Sequence, residues 1–303
     1  MTKLVANLAE PMHTDASLSA EHHPVVVYQG PARQRSGVED LGQARTRRWW
    51  LTKRKVRSLG RAGAFVDDVG FALLFPHKGV VLPTLYEAAS DQPLSSIEDY
   101  WGPDVDRVWG WKDELPRRGL AWYGRFLRGR PSFLAFPLLV DLYPRAGRPD
   151  DFEGAQLSPA AHRVARILLR SGPQSTAALR EALGVEGRRA GGAFNRTIGE
   201  LGRALVVTHF GVEKAGAGWP TPMLELTTRA FEIPRRRNAS SARLRAAGRF
   251  LDTMLEVRPY ELGSAFGWGA DGARDALENL VASGHAARSD RGYRSRSFGS
   301  GSS

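Results

Sequence analysis

The chain has 303 residues, no cysteine, and 43 Lys and Arg against 32 Asp and Glu, a formal net charge of +11. Without cysteine there are no disulfides, thiolate metal ligands or cysteine nucleophiles, and no apolar run approaches the roughly 18 residues of a membrane span. The positive surplus, carried mostly by arginine, points to a polyanionic partner; GC-rich coding would favour Arg over Lys but explains the net balance less well.

Residues 1–45 are polar, with scattered Pro, Gly and His, and read as a poorly ordered arm. Val25 to Tyr28 is its one strand-like stretch. His22 and His23 are adjacent but have no further ligand spacing. There is no signal-peptide core, so the expected location is the cytoplasm, at the nucleoid. Residues 46–150 form a first folded region. It opens on Arg47, Arg48, Lys53, Arg54 and Lys55, interleaved with Trp49 and Trp50, which either stack on bases or pack in the core. A helix is expected over 52–66, a short apolar strand or buried turn over 71–76 and a proline-led helix over 82–89. Residues 90–105 read as a loop. Two strands around a Gly-Pro turn follow, then a helix over 137–143.

Residues 151–232 have the clearest pattern. Ser158 followed by Pro159 is a helix start, and Gly172-Pro173 a stop. Ser175 or Thr176 opens a second helix that ends at Gly184, and a third runs over 188–205. Two strands around a Gly- and Pro-rich gap complete a winged helix. On the third helix Phe194, Ile198, Leu201 and Leu205 share one stripe, and Arg189, Arg196 and Arg203 lie on the opposite one. With Arg188 and Asn195 this face suits a major groove flanked by phosphates, although outward arginines also form ordinary solvated surfaces. The Gly191-Gly192 pair weakens the helix by roughly 1 kcal/mol per glycine.

Arg235, Arg236 and Arg237 form a basic linker. Residues 233–303 then repeat the three-helix plan and end in a Ser-Gly tail. Their third helix presents Asp271, Asp275 and Glu278, which repel phosphate. Arg291 and Arg294, in the wing behind it, are the better DNA contacts. The fold class is therefore α+β, mainly helical, as tandem winged helix-turn-helix modules with short β wings.

Four strings, Val69-Gly-Phe-Ala-Leu-Leu-Phe-Pro76, Leu82-Pro-Thr-Leu-Tyr-Glu-Ala88, Val108-Trp-Gly-Trp-Lys-Asp-Glu-Leu-Pro116 and Trp122-Tyr-Gly-Arg-Phe-Leu-Arg-Gly-Arg-Pro-Ser-Phe133, resemble a bacterial family of tandem winged-helix proteins. That family includes the AlkZ-like interstrand-crosslink DNA glycosylases, and the likeness spans about 49–232. The resemblance implies a concave basic surface around duplex DNA and, in the glycosylase branch, excision of alkylated bases. That branch positions its water with a Gln-x-Gln pair. Gln29, Gln34, Gln43, Gln92, Gln156 and Gln174 are all isolated here, so no catalytic residue carries over. Asp113 is the one weak substitute, with pairing to Lys112, Arg117 or Arg118 as its alternative role. No Gly-rich phosphate loop, zinc pattern or serine elbow is present, so no metal or cofactor is expected.

Three readings stand at this point. The first is a DNA-binding protein without its own catalysis, acting on duplex DNA, intact or damaged, in repair or genome maintenance, as a monomer. The second is a divergent DNA glycosylase. The third is a transcriptional regulator or protein-interaction scaffold, since winged helices also bind protein.

Overall fold

The structure, a computed structural model, describes residues 40–52, 55–91, 102–213, 220–234 and 238–298. The strand expected at Val25 to Tyr28, the His22 and His23 pair, Lys53, Arg54, Arg235, Arg236 and Arg237 lie outside them.

The chain begins with α1 (Leu41–Arg48), α2 (Leu59–Val69), β1 (Phe71–Leu73), α3 (Leu85–Ala89), α4 (Pro103–Arg117), β2 (Trp122–Arg125), β3 (Pro131–Leu134) and α5 (Phe136–Leu142). It continues with α6 (Pro159–Ser171), β4 (Gln174–Ser175), α7 (Thr176–Ala182), α8 (Gly187–Arg203), β5 (Val207–Glu213), β6 (Thr221–Leu226) and α9 (Thr227–Ala230). The last part holds α10 (Ala239–Met254), β7 (Glu256–Val257), α11 (Pro259–Phe266), α12 (Ala270–Ala282), β8 (Ala286–Ser289) and β9 (Gly292–Ser295). The fold is α+β and mainly helical, with three small antiparallel sheets ordered β1-β3-β2, β4-β6-β5 and β7-β9-β8. Each third of the chain thus runs helix, short strand, two helices, hairpin, and each pairs the short strand with the last. Among the described residues no helix is long and apolar enough to cross a membrane.

Local chemistry sets the helix starts. Ser158 and Ser175 accept hydrogen bonds from Ala161 N and Ala178 N, satisfying donors that the first helical turn leaves open. Gly172 ends α6 at φ +79°, a conformation that other residues adopt at a cost. α2 starts at Leu59 rather than near residue 52. Ser58 caps it, and Val56 donates instead to Ala88 O, 2.9 Å away. α1 occupies the last residues of the expected arm. Arg45 anchors it by donating to Met254 O and Glu256 O, and Trp49 Nε1 donates to Thr253 O. Residues 103–117, expected as loop and then an unassigned stretch, are one helix with proline in its first turn.

The first sheet is buried on both faces. Ala72, Tyr123 and Phe133 pack with Phe65, Leu85 and Trp111. The alternate residues Phe71, Trp122 and Leu134 pack instead with Phe250, Met254 and Phe266 of the last third. Strand periodicity of two thus joins the first and last thirds through one apolar layer. The middle third keeps its own core around Val164, Leu168, Phe194 and Leu224.

Middle and first thirds meet where α8 crosses β2. A Cβ at Gly202 would stand 3.0 Å from Arg125 N and 3.3 Å from Arg125 O, whereas Gly191 has open space around it. Gly202→Ala is expected to lower stability by about 1–3 kcal/mol, because strand backbone cannot move aside as a side chain would. Gly191→Ala should raise it by about 0.5–1 kcal/mol through helix propensity. Urea unfolding of the two variants checks the opposite signs.

Candidate nucleic-acid interface

α8 carries the cluster that the sequence marks. Phe194 and Leu201 are buried, and Arg188, Arg189, Asn195, Arg196 and Arg203 are exposed. The helix is held from behind: Ser158 N and Oγ donate to the two Glu200 carboxylate oxygens at 2.6 and 2.7 Å. Asn195 Oδ1 accepts from Arg180, 3.2 Å away, so this amide already has a partner. Arg188, Arg189, Arg196 and Arg203 have no carboxylate within ion-pair distance among the described residues.

A second group of arginines joins this face from the first third. Arg125 ends β2, and a Cβ at Gly199 would touch both the Arg125 side chain, at 3.6 Å, and Arg203, at 3.5 Å. Arg128 is exposed in the turn between β2 and β3. Residue patterns missed Arg125, Arg128 and Arg130. They lie in a hairpin whose sequence announces strands and a turn, and only the packing of β2 on α8 brings them beside Arg203.

Other expected contacts are occupied elsewhere. Arg48 donates to Asp68 O at 2.6 Å and Asp252 O at 3.3 Å and pairs with the Asp68 carboxylate, so burial and structural bonds consume it. Lys55 donates to Glu87 O and Ser90 O. Arg294 faces Glu256 at 3.5 Å and lies over the Phe298 ring. Trp49 and Trp50 are core residues, 7% and 2% exposed, with Trp50 Nε1 donating to Asp68. Arg47 on α1 and Arg291 in the β8–β9 turn are exposed, on elements other than α8 and the β2–β3 turn. On α12, Asp271 and Asp275 are exposed, whereas Glu278 accepts from Arg288 and Tyr293.

Asp113 is on α4 and is 5% exposed. Lys112 Nζ donates to its Oδ2 at 2.6 Å, and His209 Nδ1 on β5 lies 2.9 Å from Oδ1. The carboxylate only accepts, so Nδ1 carries the proton. Burial alone would raise the Asp113 carboxyl. The His209 hydrogen bond, with the His209 and Lys112 charges, outweighs it and holds the group below the usual carboxylate range. Burial lowers the His209 imidazole below its ordinary value, against the raising effect of Asp113. Thr208 adds to this joint, accepting from Tyr123 N at 3.2 Å and donating to Tyr123 O at 3.1 Å. Asp113 therefore ties the first third to the middle one, with both carboxylate oxygens engaged. Among the described residues no three His, Asp or Glu side chains group as a metal site.

Comparison with curated proteins found no match. Among solved structures, the fold is similar to a Streptomyces sahachiroi DNA glycosylase AlkZ, with TM-score 0.51 and 13% identity over 85% of this chain and 69% of that one. A family model described as AlkZ related matches residues 56–263, more than half of the chain. By that match the chain belongs to the AlkZ-related family.

Proposed function

We propose that this protein binds duplex DNA, intact or damaged, in DNA repair, and that α8 is its groove-facing helix. The observation that carries this reading is the run of exposed arginines on α8 without carboxylate partners, continued by Arg125 and Arg128. Such cations attract a polyphosphate and release its counterions. The three helix–strand units are read as winged helices, with boundaries near 46–150, 151–232 and 233–303, each hairpin serving as a wing. The first unit's third helix, α4, packs along β5 and its arginines pair with its own acids, and α12 presents acid, so α8 is taken as the groove reader. The protein acts as a monomer in the cytoplasm, at the nucleoid.

A second reading, excision of an alkylated or crosslinked base, is favoured by the AlkZ relationship alone. Asp113 does not support it, since its oxygens are spent on Lys112 and His209. A gel assay with protein in excess separates the readings. Labelled duplexes that are intact, methylated on a purine, or interstrand-crosslinked are run natively and after alkali. Shifted but uncut DNA is the expected result, and alkali-dependent cleavage would establish the glycosylase. A regulator or scaffold would bind intact duplex no worse than damaged, or bind protein without DNA.

A further inference from the structure

A cleft of about 480 Å³ opens where the three units meet, lined by Phe126, Arg128, Arg130, Arg203, Ser264 and Phe266. Its three guanidinium groups come from two different elements, the β2–β3 turn and the end of α8, and its far wall is the end of α11. No carboxylate lines it, and none lies within ion-pair distance of Arg128, Arg130 or Arg203 among the described residues. Cations gathered in a concave site without counter-charge repel one another unless an anion joins them.

The turn is built to hold this arrangement. Arg128 has φ +51°, a left-handed conformation that costs a non-glycine residue about 1 kcal/mol or more. Buried Ser132 fixes the turn, its Oγ accepting from Leu127 N at 3.0 Å and donating to Arg130 O at 3.0 Å. Glycine would fit position 128 without strain, yet the chain places there an exposed arginine. Strain kept at a cationic position is grounds for a ligand.

We propose that this cleft is a strand-phosphate site, taking a phosphodiester or terminal phosphate of DNA between Arg128, Arg130 and Arg203. Guanidinium groups suit this ligand because their paired N–H groups match two phosphate oxygens. The apolar floor of Phe126 and Phe266 accommodates the adjoining sugar and strengthens the charge interaction by excluding water. With no carboxylate or amide to activate a water, the cleft grips a strand and does not cut it. The site rests on the duplex-binding reading for its physiological ligand, but it can be tested without it.

The test compares the full chain with R128G/R130A and R128K/R130K, using fluorescence anisotropy. Two probes are used, a labelled duplex and a 5′-phosphorylated single-stranded hexanucleotide. Glycine at 128 removes the strain together with the cation, so the first variant keeps its melting temperature. R128G/R130A should lose at least five-fold in affinity for both probes, and its log–log salt slope on duplex should flatten by about 0.9, the equivalent of the one phosphate contact that the cleft holds. R128K/R130K should retain most of the slope. If wild type binds duplex and R128G/R130A binds it with the same affinity and slope, the site is overturned and the duplex reading stands. If wild type binds only the hexanucleotide, and R128G/R130A does not, the site stands and the duplex reading fails. Binding of neither probe by wild type overturns both.

Discussion

Replacing Arg189, Arg196 and Arg203 together by alanine is expected to weaken duplex binding by ten-fold or more. It should also flatten the log–log salt dependence by about 2.7, since each phosphate contact contributes about 0.9. The three lie seven residues apart on one face of α8, spread over about 21 Å at 1.5 Å per residue. They are exposed and free of carboxylate partners, so their charge is available to DNA instead of being spent on the fold. Stability should hold, because alanine is the strongest helix former and the buried face of Phe194 and Leu201 is untouched. Equal affinity in variant and wild type would place the interface elsewhere, at Arg47 or Arg291.

Asp113→Ala should be the most destabilising single substitution among the polar groups, by about 3–5 kcal/mol, because it leaves the buried Lys112 ammonium without its partner. It also removes the acceptor of His209 and so loosens α4 from β5, next to the bulge between His209 and Val212. Urea unfolding at pH 7.5 reads the loss. The joint also carries a pH dependence. The Asp113 carboxyl is depressed in the folded chain, so its contribution is present above the ordinary carboxylate range and disappears as pH falls through the folded value. His209 is lowered by burial, so below about pH 6.5 the unfolded chain takes up its proton more readily and stability falls there too. Wild type should thus lose stability on acidification from about pH 6.5 downward, and Asp113→Ala should lack the part lost in the carboxylate range. A loss under about 1 kcal/mol in the variant would show that the joint is incidental.

The middle third was the most legible part of the chain because its signals are local. Ser158 and Ser175 cap the helices that they precede, Gly172 ends α6, and the two stripes of α8 are set by helical geometry alone. α8 also runs through Gly191-Gly192, since packing of Phe194 and Leu201 outweighs the propensity cost. α4 is less legible, although Pro103 with Asp104 and Asp106 is a helix start: residues 90–105 read as a loop across that start, and Gly110 and Pro116 are poor helix formers. Of the partners that the sequence offers Asp113, it takes Lys112, and its other partner, His209, comes from β5. The fates of Arg48 and Lys55 were hidden for a different reason. Their acceptors, such as Asp252 O for Arg48 and Glu87 O for Lys55, are brought near only by tertiary packing. Arg125, Arg128 and Arg130 join the α8 face for the same reason, through the approach of Gly202 to β2.

The central claim is that α8 and the turn beside it bind DNA through phosphate contacts. The most direct measurement is wild-type affinity for an intact labelled duplex, titrated from about 50 to 200 mM salt. Four contacts from α8, the one at Arg203 shared with Arg128 and Arg130, give an expected log–log slope near −3.6, steeper if Arg125 adds a fifth. Affinity that does not change with salt, or no binding at the lowest salt, would contradict the account.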